Sequence, residues 1–231
     1  GPAPPAVLAS KPGFNRASWD LRRASLPAVD KVFVYGSYSG SMVPSGKYKL
    51  RLSTEKVSKE VDVEIKSDPR VSYPAAAVAK QQQMLNDIDA AIADVHSSVN
   101  RLRSVKDQLQ NRLALIKKLD NMEDLCAAGN TAMQNIKQWE QKLIQAQQKT
   151  FQDVINFPNQ LNAELMTLKG VVGGQGNPMP TKGAQDRLQD LMDMWKMRKA
   201  EMNRIIKEDV GSFNALYQQK KLPVLIVPAE E

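Results

Sequence analysis

Few side chains in this sequence have the types and spacing that bond-making chemistry requires. The 231 residues include one histidine, His96, and one cysteine, Cys126. A serine or cysteine nucleophile of the usual kind needs a histidine base, and a cysteine metal site needs several thiolates. His96 lies inside a helical apolar pattern without a candidate ligand partner, so we interpret it as structural. We therefore predict no catalytic nucleophile, no metal site and no cofactor.

Glycoside hydrolysis is the enzymatic alternative, and it requires two carboxyl groups facing each other across a pocket, about 5–10 Å apart. The early part of the chain offers Asp20, Asp62, Glu64 and Asp68, none of which has an aromatic or buried setting in the sequence. Later acids fall outside the apolar pattern and are typical of a solvated surface: Asp87, Asp94, Asp107, Glu123, Asp186 and Asp190. A catalytic pair is the less favoured hypothesis.

Aromatic and sulfur-containing side chains are the remaining binding candidates. Trp19 and Arg22 share a predicted strand, where the ring either anchors the core or faces outward. With Tyr35 and Tyr38, Trp19 would form the ring surface of a carbohydrate-binding module, a second alternative. Two methionines of the predicted third helix are candidates for bordering a partner surface, because methionine suits adaptable interfaces: Met194 and Met197.

The net charge of +7 does not indicate nucleic-acid binding, because it is unevenly spread. Residues 11–70 carry twelve Lys and Arg against seven Asp and Glu, whereas residues 71–231 carry twenty against eighteen. No basic stripe or nucleic-acid motif occurs in the nearly balanced part. No run approaches about 18 apolar residues, so we predict no membrane insertion.

Residues 12–72 show the period of two that is typical of strands. We predict strands in "NRASWDLRR" and "KVFVYGSYSG", and then a hairpin in "GKYKLRLSTEKVSKEVDVEIK". In the hairpin Tyr48, Leu50 and Leu52 alternate with basic residues, which predicts one packed face and one wet face. The glycine and proline of "VPSGKY" mark the turn before it. We expect residues 1–11 to be a disordered leader.

Residues 73–221 change to a helical period. A seam with spacings of three and four predicts one long straight helix: Leu85, Ile88, Ile92, Val95, Val99, Leu102, Lys106, Leu109, Leu113 and Ile116. A turn at Gly129 and Asn130 should lead into a second helix that carries its apolar pattern to Val154. Pro158 should break that helix, the pattern resumes at Leu161, and 169–183 is a glycine-rich loop rather than a phosphate loop.

A third helix follows, and "LPVLIVP" closes the chain as a short strand or tail within 222–231. The fold prediction is therefore α+β: a small antiparallel β-module followed by an elongated three-helix antiparallel bundle, kinked into four segments. About sixty β residues are too few for confident independence. We expect the β-module to pack against the closing Val224–Val227 segment or against a neighbour that this sequence does not include. A weak homodimer through the long seam is a further hypothesis.

Several motifs resemble a known family in the same order. "PGFNRASWDLRR", "VPSGKYKLRLS" and "VEIKSDPRV" resemble the C-terminal region of bacterial secreted proteins whose main body is a sortilin-like β-propeller and which are labelled glycosyl hydrolases. The resemblance continues in "LNDIDAAIADVHSSVNRLRSVKDQL", "FQDVINFPNQLNAELMTLKGVV" and "GSFNALYQQKKLPVLIVP". It covers nearly all of residues 12–228.

The resemblance implies an Ig-like β-module and a helical segment that follow a propeller in one polypeptide. It implies a periplasmic or extracellular location, docking on the preceding propeller, and a protein partner for the helices. It supplies no catalytic residue for this sequence. The resulting expectation is a non-catalytic accessory region that acts in docking, stabilisation or protein contact, with the glycoside hydrolase and the carbohydrate-binding module as alternatives.

Overall fold

A computed structural model describes residues 8–174 and 176–223 as a mixed α+β chain. Two strands, β1 (Gly46–Ser53) and β2 (Ser58–Ile65), precede the helices. The helices are α1 (Ala75–Ile116), α2 (Glu123–Gln141), α3 (Leu161–Gly174), α4 (Lys182–Arg204) and α5 (Gly211–Gln219). A 3₁₀ helix (Phe151–Ile155) lies between α2 and α3, and a π-helical segment (Ile205–Val210) joins α4 to α5. The coarse prediction of an α+β chain is confirmed.

The 42-residue helix α1 is the axis of the core, and the predicted seam is its buried side. Every apolar seam residue from Leu85 to Ile116 is at most 4 % exposed. Helices α2 and α3 both run back along α1, since Arg103 of α1 pairs with Glu140 of α2 and Gln81 donates to Val172 O of α3. The three elements share one hydrophobic cluster with α4 and α5.

Helix α4 runs in the same direction as α1. Asp94 of α1 accepts a hydrogen bond from Trp195 Nε1 of α4, and further along α1 Arg112 lies 5.8 Å from the Tyr217 ring of α5, which follows α4. The π-helical segment continues the helix without a break, because its capping residues keep right-handed helical dihedrals. It packs on α2, where Asn135 donates to Asp209 at 2.8 Å.

The turn between α1 and α2 differs from the prediction. Its left-handed residue is Asn121 (φ 57°), whereas Gly129 and Asn130 lie inside α2. A side chain at Gly129 would come within 2.9 Å of Leu113 Cδ2 and 3.1 Å of Phe213 Cε2. The glycine therefore permits close helix packing rather than a turn.

The connection from α2 to α3 and the end of α3 also correct the sequence reading. Helix α2 ends at Gln141, before the predicted pattern ran out at Val154. The Thr150–Asp153 capping box starts a separate 3₁₀ helix, and Pro158 lies in the irregular stretch after it, so the prediction that Pro158 breaks the second helix is wrong. Helix α3 then begins at Leu161 and runs to Gly174, so part of the predicted 169–183 loop is helical.

Residues 21–43 form an irregular loop across α1 and α3, which we call the strap. The predicted strands in 15–23 and 31–40 are absent from it, apart from one antiparallel bridge between Arg22 and Met42. The strap buries four side chains in the helical core: Leu26, Val29, Val32 and Tyr38. Side chains of α1 bind its carbonyl groups in place of a neighbouring strand, for example Asn100 on Ala28 O at 2.7 Å.

The predicted hairpin forms with the predicted strands. Strand β1 pairs antiparallel with β2 in a register that places Tyr48 opposite Val63 and Leu50 opposite Val61. The turn is closed by Thr54, whose backbone N–H donates to Val57 O at 2.8 Å. The predicted closing strand Val224–Val227 lies outside the described residues.

Candidate interaction surface

The hairpin has two chemically different faces, because antiparallel pairing places opposite residues on the same side. One face, which we call the apolar face, carries Tyr48, Leu50, Leu52, Val61, Val63 and Ile65. The other face carries pairs of opposite charge: Lys47 with Glu64, Lys49 with Asp62 and Arg51 with Glu60. Arg51 Nη2 lies 2.5 Å from Glu60 Oε1, and Lys49 Nζ lies within 4 Å of two carboxylates.

The apolar face is exposed over its outer half. Leu50, Leu52 and Val61 are 44 %, 60 % and 59 % exposed, and Val57 in the turn is 55 % exposed. No helix in the described part of the chain packs against β1 or β2. The expectation of a packed face is therefore wrong for this chain alone. Two-stranded hairpins are marginally stable in water without a covering layer, so this face lacks the partner that its pattern requires.

Trp19 lies at the base of the apolar face. Its ring contacts Tyr48 edge-on, with centroids 6.1 Å apart, and its Nε1 donates to Arg22 O at 2.9 Å. Tyr48 in turn donates to Pro44 O at 2.6 Å, which fixes the phenol over the base of the hairpin. The Trp19 ring is 41 % exposed, so it braces the hairpin without being a fully buried anchor. Arg22 lies at the start of the strap and donates to Gly40 O at 3.3 Å, which joins the two ends of the strap beside this base.

A second exposed patch was missed by sequence reasoning. Phe151 and Ile155 of the 3₁₀ helix are 63 % and 83 % exposed. Phe151 contacts Phe33 and Tyr35 of the strap, with centroids 5.1 and 5.5 Å away and rings nearly perpendicular. Backbone N–H groups donate to the Asp153 carboxylate, which fixes the helix start and lowers the pKa of Asp153. Both residues lay inside a segment predicted to continue α2, so the pattern did not single them out.

The other predicted site residues lie apart from the hairpin. Tyr38 is buried, with its ring 5.6 Å from the His96 ring, and burial raises its pKa. Tyr35 is 47 % exposed but presents its edge to Phe151. Met194 and Met197 are 39 % and 58 % exposed on α4. The structure thus brings together Trp19 and Arg22, whereas the three predicted rings Trp19, Tyr35 and Tyr38 do not share one flat surface.

Neither of two large cavities presents facing carboxyl groups. A groove of about 620 Å³ between α1 and α4 contains Asp87 and Asp94, which both project from α1 and so share one wall. The Asp94 carboxylate also accepts a hydrogen bond from Trp195 Nε1 and forms an ion pair with Lys199 Nζ. No acidic residue lines the second cavity, of about 550 Å³ beside the strap, in the part of the chain that the structure describes.

The β-side acids lie elsewhere, in surface ion pairs. Asp68 chelates the Arg70 guanidinium, which lowers the pKa of the carboxyl group, and Asp20 lies 3.9 Å from Arg22 Nε. Within residues 8–174 and 176–223 no cluster of three His, Cys, Asp or Glu side chains could hold a metal ion. Neither of the two cavities therefore has the facing pair of carboxyl groups that glycoside hydrolysis requires.

Comparison with known proteins does not identify a family for this chain. No family model matches the sequence, no curated protein matches it, and no solved structure matches its fold. A separate search of the described helices finds none that is long and apolar enough to cross a membrane.

Proposed function

We propose that this chain is a non-catalytic docking region that binds a neighbouring domain through the apolar face of its hairpin. The observation that carries the proposal is the exposure of Leu50, Leu52 and Val61 on a face whose reverse side carries three pairs of opposite charge. Exposed contiguous apolar surface of this kind marks protein interaction sites. In the part of the chain that the structure describes, no helix covers the hairpin.

The neighbour that we propose is a β-propeller preceding this region in the same exported polypeptide. Support comes from the resemblance of the "PGFNRASWDLRR", "VPSGKYKLRLS" and "VEIKSDPRV" segments. Under this proposal residues 12–72 are an Ig-like β-module that the neighbour completes. The helices behind it form an elongated antiparallel bundle that acts as a spacer or as an arm for a further protein partner.

A purified propeller domain, titrated with this chain and followed by calorimetry, tests the proposal. We expect binding, and we expect Leu50→Lys to weaken it at least tenfold, because the substitution places a charge in the apolar contact. Ser53→Lys is the matched control, since Ser53 lies on the opposite face near the same end of the hairpin. Absence of binding, or an equal loss for the two variants, contradicts the proposal.

The alternatives gain no specific support from the geometry. A carbohydrate-binding surface needs exposed rings on which a sugar stacks, but Tyr38 is buried and Trp19 and Tyr35 are engaged edge-on. The long seam gives no separate support to self-association, because its apolar side chains are buried inside the chain.

A further inference from the structure

Three side chains of α1 bind backbone carbonyl groups in the middle of the strap, at residues 27–30. His96, Asn100 and Arg103 are four and three residues apart and so lie on one face of the helix. The contacts are His96 Nδ1 with Pro27 O at 2.7 Å, Asn100 Nδ2 with Ala28 O at 2.7 Å, and Arg103 Nη1 with Asp30 O at 2.6 Å. Histidine is the one member of this set whose charge ordinarily changes between pH 5 and 8.

The surroundings of His96 are matched to a neutral ring. The ring is fully buried, and Pro27 O can only accept, so Nδ1 carries the proton. The other nitrogen, Nε2, lies 3.4 Å from Asn162 Nδ2 at the start of α3 and accepts from that amide. A proton on Nε2 would therefore meet a donor and place a charge in the core. Burial lowers the pKa of His96, and the hydrogen bond with Pro27 opposes this only in part.

No hydrogen bond or ion pair joins His96 to a carboxylate in the described part of the chain. From the strap, the titratable group facing it is the phenol of Tyr38, whose raised pKa keeps it neutral. The charged side chains of α1 and α3 around this level are paired with others: Asp89 with Lys169, Asp94 with Lys199, Arg103 with Glu140 and Glu164 with Arg187. An imidazolium at position 96 would thus have no counter-ion.

We propose that His96 is a pH-sensitive latch, which holds the strap on α1 and α3 when neutral and releases it when protonated. The released strap would carry with it Trp19, whose Nε1 donates to Arg22 O at the start of the strap, and the base of the hairpin that the Trp19 ring contacts. The direction of the pH dependence follows from the linkage between proton binding and docking of the strap. The pKa of His96 is lower in the docked state than the ordinary value of about 6.5, so the released state binds more protons. Docking is complete above about pH 6.5 and weakens as the pH falls below it.

Hydrogen exchange of the strap amides at pH 7.5 and 5.5, corrected for the intrinsic rate, tests the latch. We expect the opening equilibrium of the wild-type strap to rise at pH 5.5, by at most about tenfold, since protonation of a free imidazole with the ordinary pKa of about 6.5 favours the open form by about ten. His96→Gln keeps a donor for Pro27 O and cannot be protonated, so its strap should be protected equally at both pH values. Asn100→Ala is the matched control, which loosens the strap but keeps the pH dependence.

The proposal would be overturned if protection of the wild-type strap were the same at pH 5.5 and 7.5. It would also be overturned if the His96→Gln strap lost as much protection at pH 5.5 as the wild-type strap does. A second measurement applies even where the glutamine variant exposes its strap at both pH values. Because the chain has a single histidine, its ring signals in NMR are unambiguous. They should shift to the imidazolium position over the same pH interval in which the strap opens. Titration of the ring with the strap still protected, or opening with the ring still neutral, contradicts the latch.

Discussion

The seam of α1 and the apolar face of the hairpin are both regular apolar stripes, but only one of them is covered. Apolar side chains of the seam are at most 4 % exposed, whereas Leu50, Leu52 and Val61 are 44–60 % exposed. The seam is covered because α2, α3 and α4 lie along it. The hairpin has no such layer in the described residues. The sequence period of a helix or strand shows which of its faces is apolar. Whether another element covers that face depends on the rest of the fold.

The largest difference between the two regions should appear on truncation of a leucine in each. Leu102→Ala removes a fully buried side chain, and we expect it to lower the free energy of unfolding by about 2–5 kcal/mol. Leu50→Ala on the exposed face should cost less than about 0.5 kcal/mol. Urea denaturation measures both. Equal losses would show that the hairpin is packed in solution and would remove the contrast.

The same contrast should hold for ion pairs. The Arg103–Glu140 pair is 25 % and 13 % exposed, and we expect Arg103→Ala to cost about 1–3 kcal/mol, reduced because part of the pair remains solvated. Arg51 is 68 % exposed in its pair with Glu60, so Arg51→Ala should cost no more than about 0.5 kcal/mol. Chemical denaturation of the two variants gives the comparison. A larger loss for Arg51 would mean that the charged face of the hairpin is structurally important.

Two helical glycines sharpen the account of the covered region. A methyl group at Gly129 would meet Leu113 and Phe213 at 2.9–3.1 Å, so the strain should exceed the gain in helix propensity and cost about 1–2 kcal/mol. Gly170 in α3 has open space around it, and Gly170→Ala should stabilise the chain by about 0.5–1 kcal/mol. Thermal unfolding of the two alanine variants gives the sign of each stability change. Changes of the same sign in both variants would contradict the close packing at Gly129.

The elements that follow from local periodicity were predictable. The hairpin, α1 and the start of α3 at Leu161 all appear where the pattern placed them. The strap was not, because its alternation resembles a strand while its carbonyl groups are bound by distant side chains of α1, such as Asn100 and Arg103. Gly129 was misread for the same reason, since the close approach of Leu113 is a tertiary contact.

The candidate surface was predictable only in part. Sequence reasoning found the apolar face and Trp19 but expected burial, because alternation does not reveal a missing layer. It did not find Phe151 and Ile155, whose exposure depends on where α2 ends and on the Thr150–Asp153 capping box. No short-range pattern distinguishes such a capped turn from a continuing helix when several apolar residues keep the helical spacing.

Hydrogen exchange of the β1 and β2 amides, in this chain alone and in a longer polypeptide that includes the preceding domain, tests the central claim most directly. The account predicts that the hairpin amides exchange at least tenfold more slowly in the longer polypeptide, because the neighbour covers the apolar face and stabilises the pairing. The buried amides of α1 serve as the internal reference. Identical exchange of the hairpin in the two proteins would contradict a docking role for this face.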